Sequence, residues 1–264
     1  MKRCISLTSI DSRLFEFNPD TLKDIERILV AGDIHGDYDS LRKILRSVNM
    51  DRDFLVFLGD YADRGLYGVE VIDTISDLVE RYRGRVLALK GNHEDYTEDG
   101  EPTFYPCDLI YEATRKRGGW MQYFIERLKP FIEKLYLAAV IPGEILMVHG
   151  GVSSRIESLD DLRYPNLSIE KDLLWSDPWS GYGEYPNRRG VGVEFGVDIT
   201  EKVCMKLGVK MIVRSHEPMK ASIGPYYEHG GRVITLSSTS VYGGKPFILT
   251  IDPSNPSRIS HIFL

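Results

Sequence analysis

The sequence predicts an α/β fold with parallel strands and a functional edge at their C-terminal ends. Three observations carry this. Short apolar runs rich in β-branched residues recur along the chain and stop at Gly or a polar residue, the pattern of buried strands. The first three runs are separated by segments of helical periodicity, and strand–helix–strand–helix–strand order implies parallel pairing through crossovers. Each run also ends just before an Asp, Asn or His, at the edge where open α/β sheets place their sites.

Taken in order, residues 1 to about 25 read as a lead-in with some helical character. The run Arg27–Ala31 leads into Gly32-Asp33-Ile34-His35-Gly36. A helix follows, capped by Asp37 or Asp39, with Leu41, Ile44, Leu45 and Val48 at helical spacing. Asp37 and Asp39 could instead be extra metal ligands, but neither lies at a strand end. The run 54–58 leads into Asp60, 69–82 is a second amphipathic helix, and 86–89 leads into Asn92. Residues 95–119 are loop-rich, with one helix near 109–117 whose Arg115-Lys116-Arg117 reads as a solvated basic face rather than a phosphate site. Over 120–134, Phe124, Ile125, Leu128, Phe131 and Ile132 form a core-facing helical stripe. After Pro142 the pattern turns β-like: Ile145–Val148 leads into His149 and 211–213 into His216. Residues 226–251 read as antiparallel strands. No repeat, low-complexity stretch or linker divides the chain, so a single domain over 1–264 is the expectation.

The composition sets limits. With 42% hydrophobic and 27% charged residues, the 264-residue chain is of ordinary globular type. A net charge of −6 argues against a nucleic-acid-binding protein, yet suits a phosphate substrate if bound cations reverse the local sign. Cys4, Cys107 and Cys204 are an odd set without metal spacing and read as reduced thiols of a cytoplasmic protein. The start Met1-Lys2-Arg3 does not open a signal peptide, because Asp11 and Arg13 soon interrupt the apolar stretch. No run is suited to spanning a membrane.

Five motifs carry the chemistry: GDIHG (32–36), GDYADRG (59–65), GNHE (91–94), HGG (149–151) and RSH (214–216), which hold four of the six histidines. Hydrolysing a phosphomonoester requires an activated water and neutralised phosphoryl charge, which two adjacent divalent ions supply. Asp60, on the middle early strand, is the best bridging carboxylate. Asp33 and His35 could grip one ion, with Asn92, His149 and His216 around the other. Alone, each such Asp is more often a helix cap and each Asn or His a satisfied core group; the shared strand-end location favours ligands. Carboxylate and amide oxygens with imidazole nitrogens suit manganese, iron or zinc better than calcium. Asp63 paired with His93 would make the imidazole a general acid; the alternative is a structural Asp–His hydrogen bond. Arg64 suits bidentate phosphate binding, with a local salt bridge as the alternative.

With these motifs, the chain resembles the metal-dependent phosphoprotein phosphatases, the serine/threonine enzymes of the calcineurin-like metallophosphoesterase superfamily. GDxHG, GDxxDRG and GNHE are all present. Asp172-Leu173-Leu174-Trp175-Ser176-Asp177-Pro178 matches that family's LLWSDP segment, and Arg189-Gly190-Val191 with Phe195-Gly196 resembles a further one. The resemblance implies an αββα sandwich of two mixed sheets flanked by helices. It implies that Asp33, His35 and Asp60 hold one metal, and Asp60, Asn92, His149 and His216 the second. His93 with Asp63 would protonate the leaving group, and Arg64 and Arg189 would clamp the phosphate with Tyr242 nearby. Phosphoprotein substrates follow, with no nucleic acid, no membrane and no regulatory subunit expected.

The chain departs from the family at Glu217, where Gln is usual, and in the loop 238–244, where Gly243 stands at the position of a reactive cysteine. Groove specificity and inhibitor sensitivity therefore do not carry over. With no long extension after the core, the chain is similar to a minimal member of prokaryotic or archaeal type. The competing readings are a dinucleoside polyphosphate hydrolase, disfavoured by GNHE and LLWSDP, and a non-catalytic phosphoprotein-binding scaffold, disfavoured by the His93/Asp63 pair.

Overall fold

A computed structural model describes residues 12–264, so the lead-in before Ser12, with Cys4, lies outside the described residues. The chain forms two mixed sheets packed face to face and a small third sheet of Asp177–Pro178, Val193–Phe195 and Glu184–Pro186. One of the packed sheets has five strands in the order Asn255–Phe263, Phe247–Asp252, Arg27–Ala31, Asp53–Phe57, Val86–Ala88. Its last three strands are parallel, as their sequence order requires, and Asp53–Phe57 is the middle one. The other has six strands in the order Leu14–Glu16, Ala138–Ile141, Ile145–Val148, Met211–Arg214, Val233–Thr235, Tyr226–Glu228. Ile145–Val148, Met211–Arg214 and Val233–Thr235 run parallel there.

Three apolar layers account for the sandwich. Alternation along each strand sends Ile28, Val30, Phe54 and Val56 inward to meet Ile145, Met147, Val213 and Ile234 of the opposing sheet. Leu29, Ala31, Leu55 and Phe57 face outward under Leu41 and Ile44 of helix Tyr38–Ser47 and Val71, Ile72 and Ile75 of helix Gly68–Arg81. Leu146, Val148 and Ile212 face outward under Leu173 of helix Leu167–Trp175 and Val203 of helix Val197–Leu207. The architecture is the expected αββα sandwich. No helix among the described residues is long and apolar enough to cross a membrane.

Asp37 caps the helix Tyr38–Ser47 by accepting from Ser40 N at 2.9 Å, and Asp39 is exposed, which removes both from the ligand set. Lys116 pairs with Glu70 and Glu112, and Arg117 with Asp73, so the basic run stitches helices together.

The stripe over 120–134 needs correction. Pro130 has no N–H to donate, and the helix widens into a π turn over Phe124–Leu128. The phase shift buries Phe124, Leu128 and Phe131 but leaves Ile125 59% exposed. The segment 226–251 also differs from a simple antiparallel set. Tyr226–Glu228 and Val233–Thr235 form an antiparallel pair in one sheet, whereas Phe247–Asp252 crosses to the other and lies antiparallel to Arg27–Ala31. Leu14–Glu16 and Ala138–Ile141 are strands that the periodicity did not reveal, being too short to show alternation. Cys107 and Cys204 are free thiols.

Candidate metal and phosphate site

All five motifs converge at one edge of the sandwich, where both sheets deliver loops from their strand ends. The backbone there is strained. Among the described residues, the non-glycine residues with left-handed φ are His35, Asp60, Asp63, Arg64, His216 and His229, and all but His229 are in the site. Such conformations cost about 1–3 kcal/mol each and persist where surrounding structure enforces them. One enforcing contact is the fit of Gly91 against Asp60: a Cβ at Gly91 would collide with the Asp60 carboxylate, so the two loops pack only through glycine.

The imidazoles are oriented from behind. His35 Nδ1 lies 3.0 Å from Ala62 O, and His149 Nδ1 lies 3.0 Å from Leu58 O. A carbonyl only accepts, so both Nδ1 atoms carry the proton and both Nε2 lone pairs face the site. His149 Nε2 then lies 3.0 Å from Asn92 Oδ1, 3.2 Å from His216 Nδ1 and 3.3 Å from Asp60 Oδ1. His35 Nε2 lies 3.4 Å from Asp60 Oδ2 and 3.8 Å from Asp33 Oδ2. Asp60 thus turns one oxygen to each group.

Asp60 Oδ1 has one donor, the His93 N–H at 3.0 Å, but the lone pairs otherwise face one another and repel, and a cation between them removes that cost. Asp33 Oδ2 and His216 Nε2 are in addition buried without a hydrogen-bond partner. The donor set therefore fits two divalent ions that share Asp60. Burial pushes the His35 imidazole down to about 3. It also holds His149 and His216 well below the usual range, with His216 adding to the effect on His149 and Arg189 on His216, so all three are neutral, the state in which an imidazole can accept a cation. Burial raises the Asp60 carboxyl well above the usual range, with His93 opposing and Asp33 reinforcing; such a group needs positive charge beside it.

Among the described residues, two groups of His and Asp bring possible ligand atoms together: His35, Asp60 and His93, and Asp60, His149 and His216. The first contains His93 in place of Asp33. We favour Asp33 as the ligand, because its Oδ2 is the atom left without a partner, whereas His93 Nδ1 is engaged by Asp63 Oδ2 at 2.7 Å. Asp63 is itself held by Leu109 N at 2.8 Å, at the start of helix Leu109–Arg117. Burial lowers the His93 pKa, but Asp60 and the Asp63 hydrogen bond outweigh it, and the net shift is upward.

His35, Asp60, Asn92, His93 and His216 line a cavity of about 240 Å³, together with Arg64, Arg189 and Tyr242. The Arg64 guanidinium makes no ion pair among the described residues, which disfavours the local salt-bridge alternative. Arg189 Nε donates to Asp177 Oδ2 at 2.9 Å, which leaves its terminal nitrogens for a ligand. The exposed Arg188 pairs with Glu194 instead. The Tyr242 ring stands edge-on to His35, with centroids 5.5 Å apart.

Glu94 and Asp177 lie inside the sequence motifs, and the fold gives each a role. Glu94 is buried and accepts from the N–H groups of Asp60, Tyr61 and Gly91, all at 2.9 Å, locking the Asp60 loop to the Asn92 loop. Asp177 accepts from Arg189, Asn187 and the fully buried Arg214. Burial would raise the Asp177 pKa, but Arg214 and Arg189 hold it below the usual carboxylate range. Their sequence neighbours gave no signal, Glu94 standing between His93 and Asp95 and Asp177 between Ser176 and Pro178; burial in the fold is what requires backbone or cationic donors for both.

Arg189→Ala is expected to raise KM for a phosphopeptide roughly 10- to 100-fold, since a charge-assisted hydrogen bond contributes about 1.5–3 kcal/mol. Metal content should be unchanged. Steady-state kinetics with elemental analysis is the check; unaltered KM and kcat would mean that Arg189 serves only Asp177.

A family model described as calcineurin-like phosphoesterase matches residues 26–220. A serine/threonine-protein phosphatase of Caenorhabditis elegans is 31% identical over 225 residues, 81% of this chain and 48% of its own length. The serine/threonine-protein phosphatase PP2A-like PPG1 of Candida albicans is 33% identical over 241 residues, 86% and 56% respectively. The chain thus spans about half the length of these curated relatives. A solved Saccharomyces cerevisiae serine/threonine phosphatase with similarity to human phosphatase PP5 superposes with a TM-score of 0.79 at 24% identity, covering 96% of this chain and 84% of that one. At that identity the superposition establishes the fold.

Proposed function

The chain belongs to the calcineurin-like phosphoesterase family, and from that premise we propose that it hydrolyses phosphoserine and phosphothreonine monoesters in proteins. The observation that carries the reading is the His93–Asp63 pair at 2.7 Å, at the wall of the cavity that Arg64 and Arg189 also line. In this reading residues 1–264 act as one catalytic domain.

Asp33, His35 and Asp60 would hold one divalent cation, and Asp60, Asn92, His149 and His216 the other, with manganese favoured and iron or zinc also suited to these donors. When bound, the pair supplies Lewis acidity and lowers the pKa of water. The residues do the rest. Arg64 and Arg189 bind the phosphate oxygens and orient the ester, with Tyr242 beside them. His93 faces the leaving side and gives its proton to the departing serine or threonine oxygen. Asp63 fixes the ring and favours its charged form. Asp177 and Glu94 hold the clamp and the loops in place.

Removing divalent metal with a chelator is expected to abolish turnover, and adding manganese to restore it. Full activity in protein shown by elemental analysis to be metal-free would end the two-cation account. The rival substrate class is separated by comparing a phosphoserine peptide with diadenosine tetraphosphate. Preferred turnover of the anhydride would transfer the assignment to dinucleoside polyphosphate hydrolysis, and binding of the phosphopeptide without turnover would indicate a scaffold.

A further inference from the structure

The loop Asn92–Glu94 that carries His93 is closed at its base by an ion pair that no step above uses. Lys90 Nζ donates to Asp95 Oδ1 at 2.8 Å, joining the residues on either side of the loop. The same nitrogen donates to Glu170 Oε1, also at 2.8 Å. Asp95 Oδ2 accepts in turn from Lys171 and Thr103. Glu170 and Lys171 lie on helix Leu167–Trp175, which packs on the outer face of the opposite sheet. That helix also accepts from Gly150 N, next to His149, through Leu173 O at 2.8 Å. Its C-terminal end runs into Asp177, which orients Arg189. One helix therefore touches the His93 loop, the His149 loop and the phosphate clamp.

The Lys90 side chain is only 12% exposed and Asp95 9%. Burial lowers the Lys90 pKa, but Glu170 and Asp95 outweigh it, so the ammonium stays charged. Ion pairs this buried give back in desolvation much of what they gain in attraction, so they are poor sources of stability. What such a pair does supply is geometry: two fixed directions at one nitrogen, set between the loop and the helix.

We propose that Lys90 is a positioning residue which, by tying Asp95 to Glu170, holds His93 at the leaving-group side of the phosphate bound by Arg189. The inference rests on the phosphomonoesterase reading and on His93 as proton donor. Misplacing a catalytic group by about 1 Å costs on the order of 100-fold, so loosening this tie should affect the proton-dependent substrate first.

The test is Lys90→Met, which keeps the length of the side chain. Asp95 keeps Lys171 and Thr103, and Glu170, 26% exposed, can be hydrated, so the variant should fold. Lys90→Arg is the conservative rescue. Expected for Lys90→Met is a fall in kcat of roughly 10- to 100-fold on a phosphoserine peptide, with KM and metal content retained. The loss on p-nitrophenyl phosphate should be far smaller, and Lys90→Arg should recover most of the peptide activity. In a His93→Asn background, Lys90→Met should cost almost nothing more on the peptide. Equal losses on both substrates, an unchanged kcat, or full additivity with His93→Asn would overturn the positioning role while leaving the phosphatase reading intact. If no phosphopeptide is turned over, the phosphatase reading falls; if His93→Asn shows no bias between the substrates, His93 is not the proton donor; in either case the inference falls with it.

Discussion

Replacing His93 with asparagine is expected to slow phosphoserine-peptide hydrolysis by roughly 100- to 10,000-fold, the usual loss when a general acid is removed. Hydrolysis of p-nitrophenyl phosphate should fall much less. Serine leaves as a poorly stabilised alkoxide that needs a proton in the transition state, whereas p-nitrophenolate departs unaided. Both metals should remain, because the ligand sets close without His93. Asp63→Asn should show the same bias more weakly, since it keeps a hydrogen-bonding partner at 2.7 Å from Nδ1 but removes the charge. The sign of the pH dependence follows from the role of His93, since a proton donor must be protonated and Asp63 at 2.7 Å favours that form. The acid is present below the pKa of His93 and is lost as pH rises through it, so the alkaline limb for the peptide should disappear in His93→Asn. Equal losses on both substrates with metals in place would mean that His93 positions phosphate or water rather than giving a proton.

Asp60→Asn is expected to remove both metals and essentially all activity, whereas Asp33→Asn should lose chiefly one ion. The two Asp60 oxygens face different histidines, 3.4 Å from His35 and 3.3 Å from His149. Asp33 has one oxygen occupied by the His216 N–H at 3.0 Å, which leaves only Oδ2, 3.8 Å from His35, for an ion. The amide also puts a donor where an acceptor is needed. Metal stoichiometry of the two purified variants decides the matter. Loss of one ion in each would show that Asp60 is not shared. Chelated wild-type protein measured alongside separates metal loss from unfolding.

The strand-end motifs were legible because their signal is local. An apolar run such as Arg27–Ala31, then Gly32 and Asp33, specifies a buried strand and a sharp turn within a few residues. The Asp37 cap was equally readable, since its hydrogen bond spans only three positions. Local signals failed where distant context decided. Ile125 turned outward because a downstream proline changed the helix phase, and Phe247–Asp252 joined a different sheet from its sequence neighbours.

From sequence alone came the αββα class, through resemblance, and the set of candidate site residues. Tertiary structure alone decided which atoms of those residues meet, and what holds them. The split of Asp60 between two groups depends on His35 and His149, which come from different sheets. Glu94 reaches the Asp60 backbone across 34 positions, and Lys90 reaches Glu170 across 80. No local pattern encodes such partners, because a carboxylate or ammonium has the same sequence signature whether it is solvated or buried against a distant loop. Only packing of the two sheets brings their loop ends together and makes these groups find one another.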